Sequence, residues 1–233
     1  MELCWLTQGG FRFADHGKRL VADPYMSHIV EQKEGLTGLT EFPLSLAELR
    51  PDVLLCTHDH LDHCDPEAVP SIAAAYPDCL LAGSLNAYRH FLALGVAENR
   101  CRRLQVGVSV DLAGFSVLPV LARHSDKEAV GVVIGAGGKR VYLTGDTLFD
   151  EAILANPQLR HLDAILICIN GKLGNMTWTE AARTVTALQP NLAVPMHYGR
   201  FAENTVDPQP FIAACRAAGI SATELTPGKK FTL

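Results

Sequence analysis

His58-Asp59-His60-Leu61-Asp62-His63 sets three imidazoles and two carboxylates in six consecutive positions, shortly after the apolar run Val53-Leu54-Leu55-Cys56. A protein core has no use for so many ionisable groups, because each buried charge must be neutralised. A divalent metal does this by taking imidazole lone pairs and carboxylate oxygens together. The stretch therefore reads as metal chemistry at the end of a buried strand.

Three later segments repeat the pattern. Arg123-His124-Ser125-Asp126 follows Phe115-Ser116-Val117-Leu118-Pro119-Val120, Thr144-Gly145-Asp146-Thr147 follows Arg140-Val141-Tyr142-Leu143, and Met196-His197-Tyr198-Gly199 follows Leu192-Ala193-Val194-Pro195. Taken singly, His124 could cap a strand, Asp146 could make a turn with Gly145, and His197 could be a core histidine. Each nevertheless sits just past an apolar run, at the sheet edge where loops converge on one ligand.

The series His58, His60, Asp62, His63, His124, Asp146, His197 resembles the HxHxDH, His, Asp, His pattern of the metallo-β-lactamase superfamily. Longer segments are similar to the L-ascorbate-6-phosphate lactonase branch. They are Gln8-Gly9-Gly10-Phe11, Asp23-Pro24-Tyr25, His124-Ser125-Asp126, Ile169-Asn170-Gly171-Lys172-Leu173-Gly174-Asn175-Met176 and Pro195-Met196-His197-Tyr198-Gly199 with Phe201-Ala202-Glu203-Asn204. The chain is shorter than that lactonase, and Arg200 stands where its pattern has a methionine.

The resemblance implies an α/β fold, the four-layer αββα metallo-β-lactamase sandwich, formed by residues 1–233 as a single hydrolase domain. Periodicity alone yields only α/β. It also implies that His58, His60 and His124 hold one metal, that Asp62, His63 and His197 hold a second, and that Asp146 bridges them. Nitrogen and oxygen donors without thiolate suit one or two divalent transition ions, Mn²⁺ or Zn²⁺ first and Fe²⁺ next. With a single metal, Asp62 is free to act as general base.

Around this centre Lys172 and Arg200 are candidate cations for a sugar phosphate, and either could equally be a solvated loop charge. Asn170-Gly171-Lys172 leaves the strand-like Ala164 to Ile169 at the active edge, and Asn204 could hold loop or substrate. Tyr198, beside His197, could donate a proton to a lactone oxygen or simply pack. His16, His28, His90 and His161 lie outside the expected site, and Cys64 reads as a small residue at a helix entrance.

Composition narrows the partners. The chain has 233 residues, 48% of them hydrophobic, enough for a substantial core, and a formal charge of −5. Its pI near 6.0 argues against nonspecific nucleic-acid binding and fits a small-molecule substrate. Seven cysteines without CxxC pairing point to a reducing, cytoplasmic setting. No signal peptide or membrane-spanning run is visible, and a homo-oligomer is compatible with all of this.

Along the chain, Gln8-Gly9-Gly10 signals a hairpin between Cys4–Leu6 and Phe11–Phe13, and Arg19 to Ala22 continues the sheet. Glu31 to Thr40 reads as a mobile loop near the mouth. Helices are expected from Pro66 through Ala75, Leu85 to Leu94, Thr147 to Ala155, Ala181 to Leu188 behind a capping box at Thr177, and Pro208 to Ala218. The expected function is a metal-dependent hydrolase opening a phosphorylated sugar lactone. The alternatives are a metal-dependent phosphodiesterase or RNA-processing nuclease, or a noncatalytic binding protein.

Overall fold

A computed structural model describes residues 1–233. In its first half run strands β1 (Glu2–Trp5), β2 (Phe11–Asp15), β3 (Lys18–Ala22), β4 (Val53–Cys56), β5 (Leu80–Gly83) and β6 (Cys101–Arg103). The second half holds β7 (Val110–Leu112), β8 (Phe115–Leu121), β9 (Val130–Ala136), β10 (Lys139–Leu143), β11 (Ala164–Cys168), β12 (Leu192–Met196) and β13 (Ser221–Ala222), and β14 (Lys230–Thr232) closes the chain. They make two seven-stranded sheets, ordered β14-β1-β2-β3-β4-β5-β6 and β13-β12-β11-β10-β9-β8-β7. Each sheet is antiparallel through its early strands, then parallel from β3 to β6 and from β10 to β13.

Period-two alternation explains the layering. Leu3, Trp5, Leu20, Ala22, Val53 and Leu55 join strands of the second sheet in a 45-residue core, while their neighbours Cys4, Leu6, Val21, Leu54 and Cys56 belong to a separate 17-residue core. That second core is roofed by helices over the outer face of the first sheet.

The helices are α1 (Ile29–Glu34), α2 (Leu46–Leu49), α3 (Ala68–Ala75), α4 (Leu85–Ala93), α5 (Glu151–Leu154), α6 (Trp178–Leu188) and α7 (Gln209–Ala217). Val69 and Ile72 of α3 and Ala87 and Phe91 of α4 cover the first sheet, and Val185 of α6 and Phe211 of α7 cover the second. The helix-sheet-sheet-helix order expected from the sequence is thus present.

Two local expectations are corrected. Glu31 to Thr40 begins as helix, since α1 runs to Glu34 and stops at Gly35 in the left-handed region (φ 71°). The rest is tied down by Thr37 on the Glu203 carboxylate and by Leu39 N donating to Arg200 O. Residues 147–150 are not helical either, because Thr147 and Leu148 bond to Arg123 and Asp150 caps the short α5.

Candidate metal centre

The seven residues expected to hold metal converge at one edge of the sandwich, beyond the ends of β4, β8, β10 and β12. After β4 the chain turns tightly, with His60 O accepting from the backbone N–H of both His63 and Cys64, so alternate side chains of 58–63 aim at one point. His60 Nδ1 lies 3.1 Å from His58 Nε2 and 3.0 Å from His124 Nε2. In the second group, His63 Nε2 is 3.4 Å from His197 Nε2 and 3.6 Å from Asp62 Oδ2. Asp146 stands between the groups, Oδ1 3.2 Å from His63 Nε2, and Oδ2 3.0 Å from His197 Nε2 and 3.9 Å from His124 Nε2.

The outward-facing atoms fix how these rings are held. His63 Nδ1 donates to Asp23 Oδ2 at 2.9 Å, and His58 Nδ1 faces the Thr57 hydroxyl at 3.0 Å, which itself donates to Asp23 Oδ2. His124 Nδ1 donates to the Gly174 carbonyl, and the Ser125 hydroxyl lies beside His60 Nε2. Asn175 Nδ2 donates to Asp146 Oδ2, and Gln8 Nε2 to Asp62 Oδ2. With Nδ1–H committed outward, the Nε2 lone pairs of His58, His63 and His124 point inward, the tautomer a metal requires.

Two glycines make the close approach feasible. A Cβ on Gly9 would meet His63 Cε1 at 2.6 Å, and one on Gly174, whose φ is 89°, would meet His124 Nδ1 at 2.9 Å. Asp23 (φ 45°) and His197 (φ 65°) also adopt the left-handed conformation, a local strain concentrated at the centre.

The donors fit a divalent ion on their own chemistry. Asp146 Oδ1 is buried without a hydrogen-bond partner, facing a nitrogen whose proton lies on the far side of its ring. Without a metal, protons must fill the gap. Burial disfavours a charged His197, but the Asp146 and Asp62 carboxylates outweigh it and push the imidazole up to about 9, and His63 is raised in the same way. Asp146 is held well below the usual carboxylate range, since His197 and His63 overcome the opposing effect of burial. Burial, reinforced by His63, keeps His58 neutral.

A cleft of about 400 Å³ opens onto this floor, a size suited to a small ligand. His60, Asp62, Asp146 and His197 form its base; Val30, Leu36, Leu173 and Phe201 are its apolar walls; Glu34, Ser125 and Asn204 are its polar ones. No lysine or arginine lines it.

The other expected site residues divide. Asn204 lines the cleft and accepts from Asn170 Nδ2, so Asn170 braces the loop from behind. Lys172 is exposed at the rim, its Nζ donating to the Glu203 carbonyl. Arg200 is not available to a substrate. It is 2% exposed, paired with Glu31 Oε1 at 2.6 Å and set against the Tyr25 and Phe201 rings. Tyr198 is also turned away, its ring 4.9 Å from Trp5 and its hydroxyl on Glu224. A proton-donating role for Tyr198 and a phosphate-binding role for Arg200 are therefore corrected. Asp23, Gln8, Thr57 and Asn175, which orient the donors, carry no role in the sequence reading, although three of them fall within the resembling segments.

Relatives bear on the same residues. The beta-lactamase superfamily domain pattern matches residues 18–198, which contain all seven donors. The UPF0173 metal-dependent hydrolase of Symbiobacterium thermophilum is 30% identical over 240 aligned positions, covering 100% of both chains. A UPF0173 protein of Pyrococcus furiosus is 29% identical across 91% of this chain and 89% of its own. Igni18, a metallo hydrolase from the hyperthermophilic archaeon Ignicoccus hospitalis, superposes with a TM-score of 0.82 at 22% identity, covering 100% of this chain and 98% of that one, and so shares the fold. With a histidine-aspartate floor of this geometry and relatives matched along its whole length, the chain belongs to the metallo-β-lactamase superfamily, in the UPF0173 family of metal-dependent hydrolases.

Proposed function

We propose that this hydrolase acts on a small lactone or related ester. The observation that carries the reading is the meeting of two three-donor groups around Asp146 at the base of a cleft whose walls are mainly apolar. A divalent ion held by these residues would supply hydroxide at neutral pH and polarise a carbonyl. The chain's own contribution is positional. His58, His60 and His124 would hold one ion, Asp62, His63 and His197 another, with Asp146 shared. Where only the first ion is held, Asp62, which borders the cleft, would instead be free to take the proton of an attacking water. Val30, Leu36 and Phe201 hold the uncharged acyl part and displace water from it.

The phosphorylated sugar lactone is the finer form of this reading, and it rests on the lactonase-like segments. Because the cleft lining holds Glu34 and no lysine or arginine, such a substrate would set its phosphate at the rim, where Lys172 supplies the charge. Seven free, buried cysteines support a reducing, cytoplasmic setting for the reaction. No helix is long and apolar enough to cross a membrane.

Metal-loaded protein assayed against matched lactones, simple esters and phosphodiesters tests the proposal. Turnover of lactones or esters with inert phosphodiesters is expected. Efficient phosphodiester cleavage with inert lactones would replace the proposal with phosphoryl chemistry on the same centre.

A further inference from the structure

Asp59, Cys64 and His90 lie outside the seven-residue centre, yet their donor atoms all fall within 4.8 Å of one another. Asp59 comes from the turn after β4, Cys64 from the start of the segment leading to α3, and His90 from α4. His90 Nδ1 contacts Asp59 Oδ1, and no lysine or arginine pairs with that carboxylate. The Cys64 side chain is fully buried, whereas Asp59 and His90 are 34% and 22% exposed, so the sulfur lies beneath two donors that reach solvent.

Their backbones are braced independently of any ion. Asp126 accepts from Asp59 N through one carboxylate oxygen and from Asn86 Nδ2 of α4 through the other, locking the turn to the helix. Cys64 N is fixed on His60 O. Sequence alone leaves Cys64 as a small residue and His90 unassigned; only the packing of α4 against the turn brings them together.

We propose that Asp59, Cys64 and His90 form a second, separate binding site for a thiophilic divalent ion, Zn²⁺ or its analogues Co²⁺ and Cd²⁺. One thiolate, one imidazole and one carboxylate make a borderline-soft donor set, and three protein ligands, two of them partly exposed, leave the fourth position to water. Tetrahedral donors around zinc stand roughly 3.5 Å apart, so His90 Nδ1 and Asp59 Oδ1, now in direct contact, would part to admit the ion, and Cys64 Sγ, within 4.8 Å of each, would close by no more than about 1 Å. Binding releases the thiol proton and the His90 Nδ1 proton to solvent. Since Asp59 stands between His58 and His60, and Cys64 follows His63, an ion here would clamp the turn that carries four donors of the hydrolytic centre.

The seven-residue centre contains no sulfur, which makes the new site separable by spectroscopy and without any activity assay. Co²⁺ or Cd²⁺ added to purified holoprotein is expected to produce a sulfur-to-metal charge-transfer band that saturates at about one equivalent. Cys64→Ser and His90→Gln should each abolish the band, while elemental analysis shows unchanged metal at the hydrolytic centre. Cys56→Ser should leave the band intact. If Cys64→Ser fails to fold, His90→Gln, at a partly exposed position, decides alone. No band in the wild type, or a band that survives His90→Gln, would overturn the proposal.

Discussion

Asp23 Oδ2 receives the His63 Nδ1 proton at 2.9 Å and the Thr57 hydroxyl at 2.6 Å, and Thr57 in turn lies 3.0 Å from His58 Nδ1. One buried carboxylate thus aims histidines of both donor groups. It also accepts from the backbone N–H of Thr57, which ties the end of β3 to the start of the donor turn.

Asp23→Asn should therefore weaken metal retention without removing a ligand. An amide in this place loses the negative charge that makes His63 a better donor, and partners of this kind are worth about 10–100-fold in metal affinity. Competition with a graded chelator measures the loss. Wild-type affinity in a folded Asp23→Asn protein would remove Asp23 from the centre.

The metal-free protein should respond to pH in one direction. His197 is pushed up to about 9 from its ordinary 6.5, the Asp146 and Asp62 carboxylates outweighing burial. A raised histidine contributes stability that is full below its unfolded value and lost as pH rises through its folded value. Chelated protein should thus lose thermal stability between about pH 6.5 and 9, and metal uptake near neutrality should release protons. Thermal melts and a weakly buffered metal titration test both. A flat melting profile in that window would contradict the assigned ion pair.

Arg200→Ala should destabilise the fold and loosen the cleft wall without touching the metal. Removing the guanidinium strands the Glu31 carboxylate, which Tyr25 also holds, and α1 loses its tie to the segment after β12. Breaking a buried pair costs about 3–5 kcal/mol, and less here because Glu31 keeps some contact with water. The expected result is a lower Tm and a higher KM for every substrate, at unchanged metal content, because Val30 and Glu34 of α1 face the cleft. A loss confined to phosphorylated substrates would instead return Arg200 to a substrate-binding role.

The contrast between the donors and these misread neighbours shows what the sequence carries. Seven ionisable side chains, each just beyond an apolar strand, are legible because strand ends share one edge of the sheet and charge has few reasons to sit there. Direction is not legible. His197 lies just past β12 in the left-handed conformation, and the turn it makes there packs Tyr198 on Trp5 while His197 faces the metal. Arg200 finds its partner Glu31 at a separation of 169 residues, which no local pattern reports. Asp23 carries no legible role until the parallel pairing of β3 with β4 sets it beside Thr57. The two-sided burial behind the sandwich is visible only as apolar runs, since alternation is erased when both faces of a strand are covered.

Glu34 and Lys172 offer the sharpest test of which substrate enters. Glu34 lines the cleft, and burial followed by the Asp62 carboxylate raises its carboxyl, so it already stands in a field unfavourable to further negative charge. Lys172 stands at the rim, on the loop that contributes Leu173 and Gly174 to the same cleft. For a phosphorylated lactone, Lys172→Ala should raise KM about 10-fold or more and leave an unphosphorylated analogue nearly unaffected, since a phosphate that does not react contributes binding in ground and transition states alike. Glu34→Gln should act in the opposite sense, improving kcat/KM for the phosphorylated member by several-fold through relief of repulsion. The matched pair, measured with both variants at fixed ionic strength, separates the outcomes. Equal effects of Lys172→Ala on the two lactones would defeat the phosphate anchor while leaving the hydrolytic centre in place, and an unchanged ratio in Glu34→Gln would show that the cleft does not sort substrates by charge.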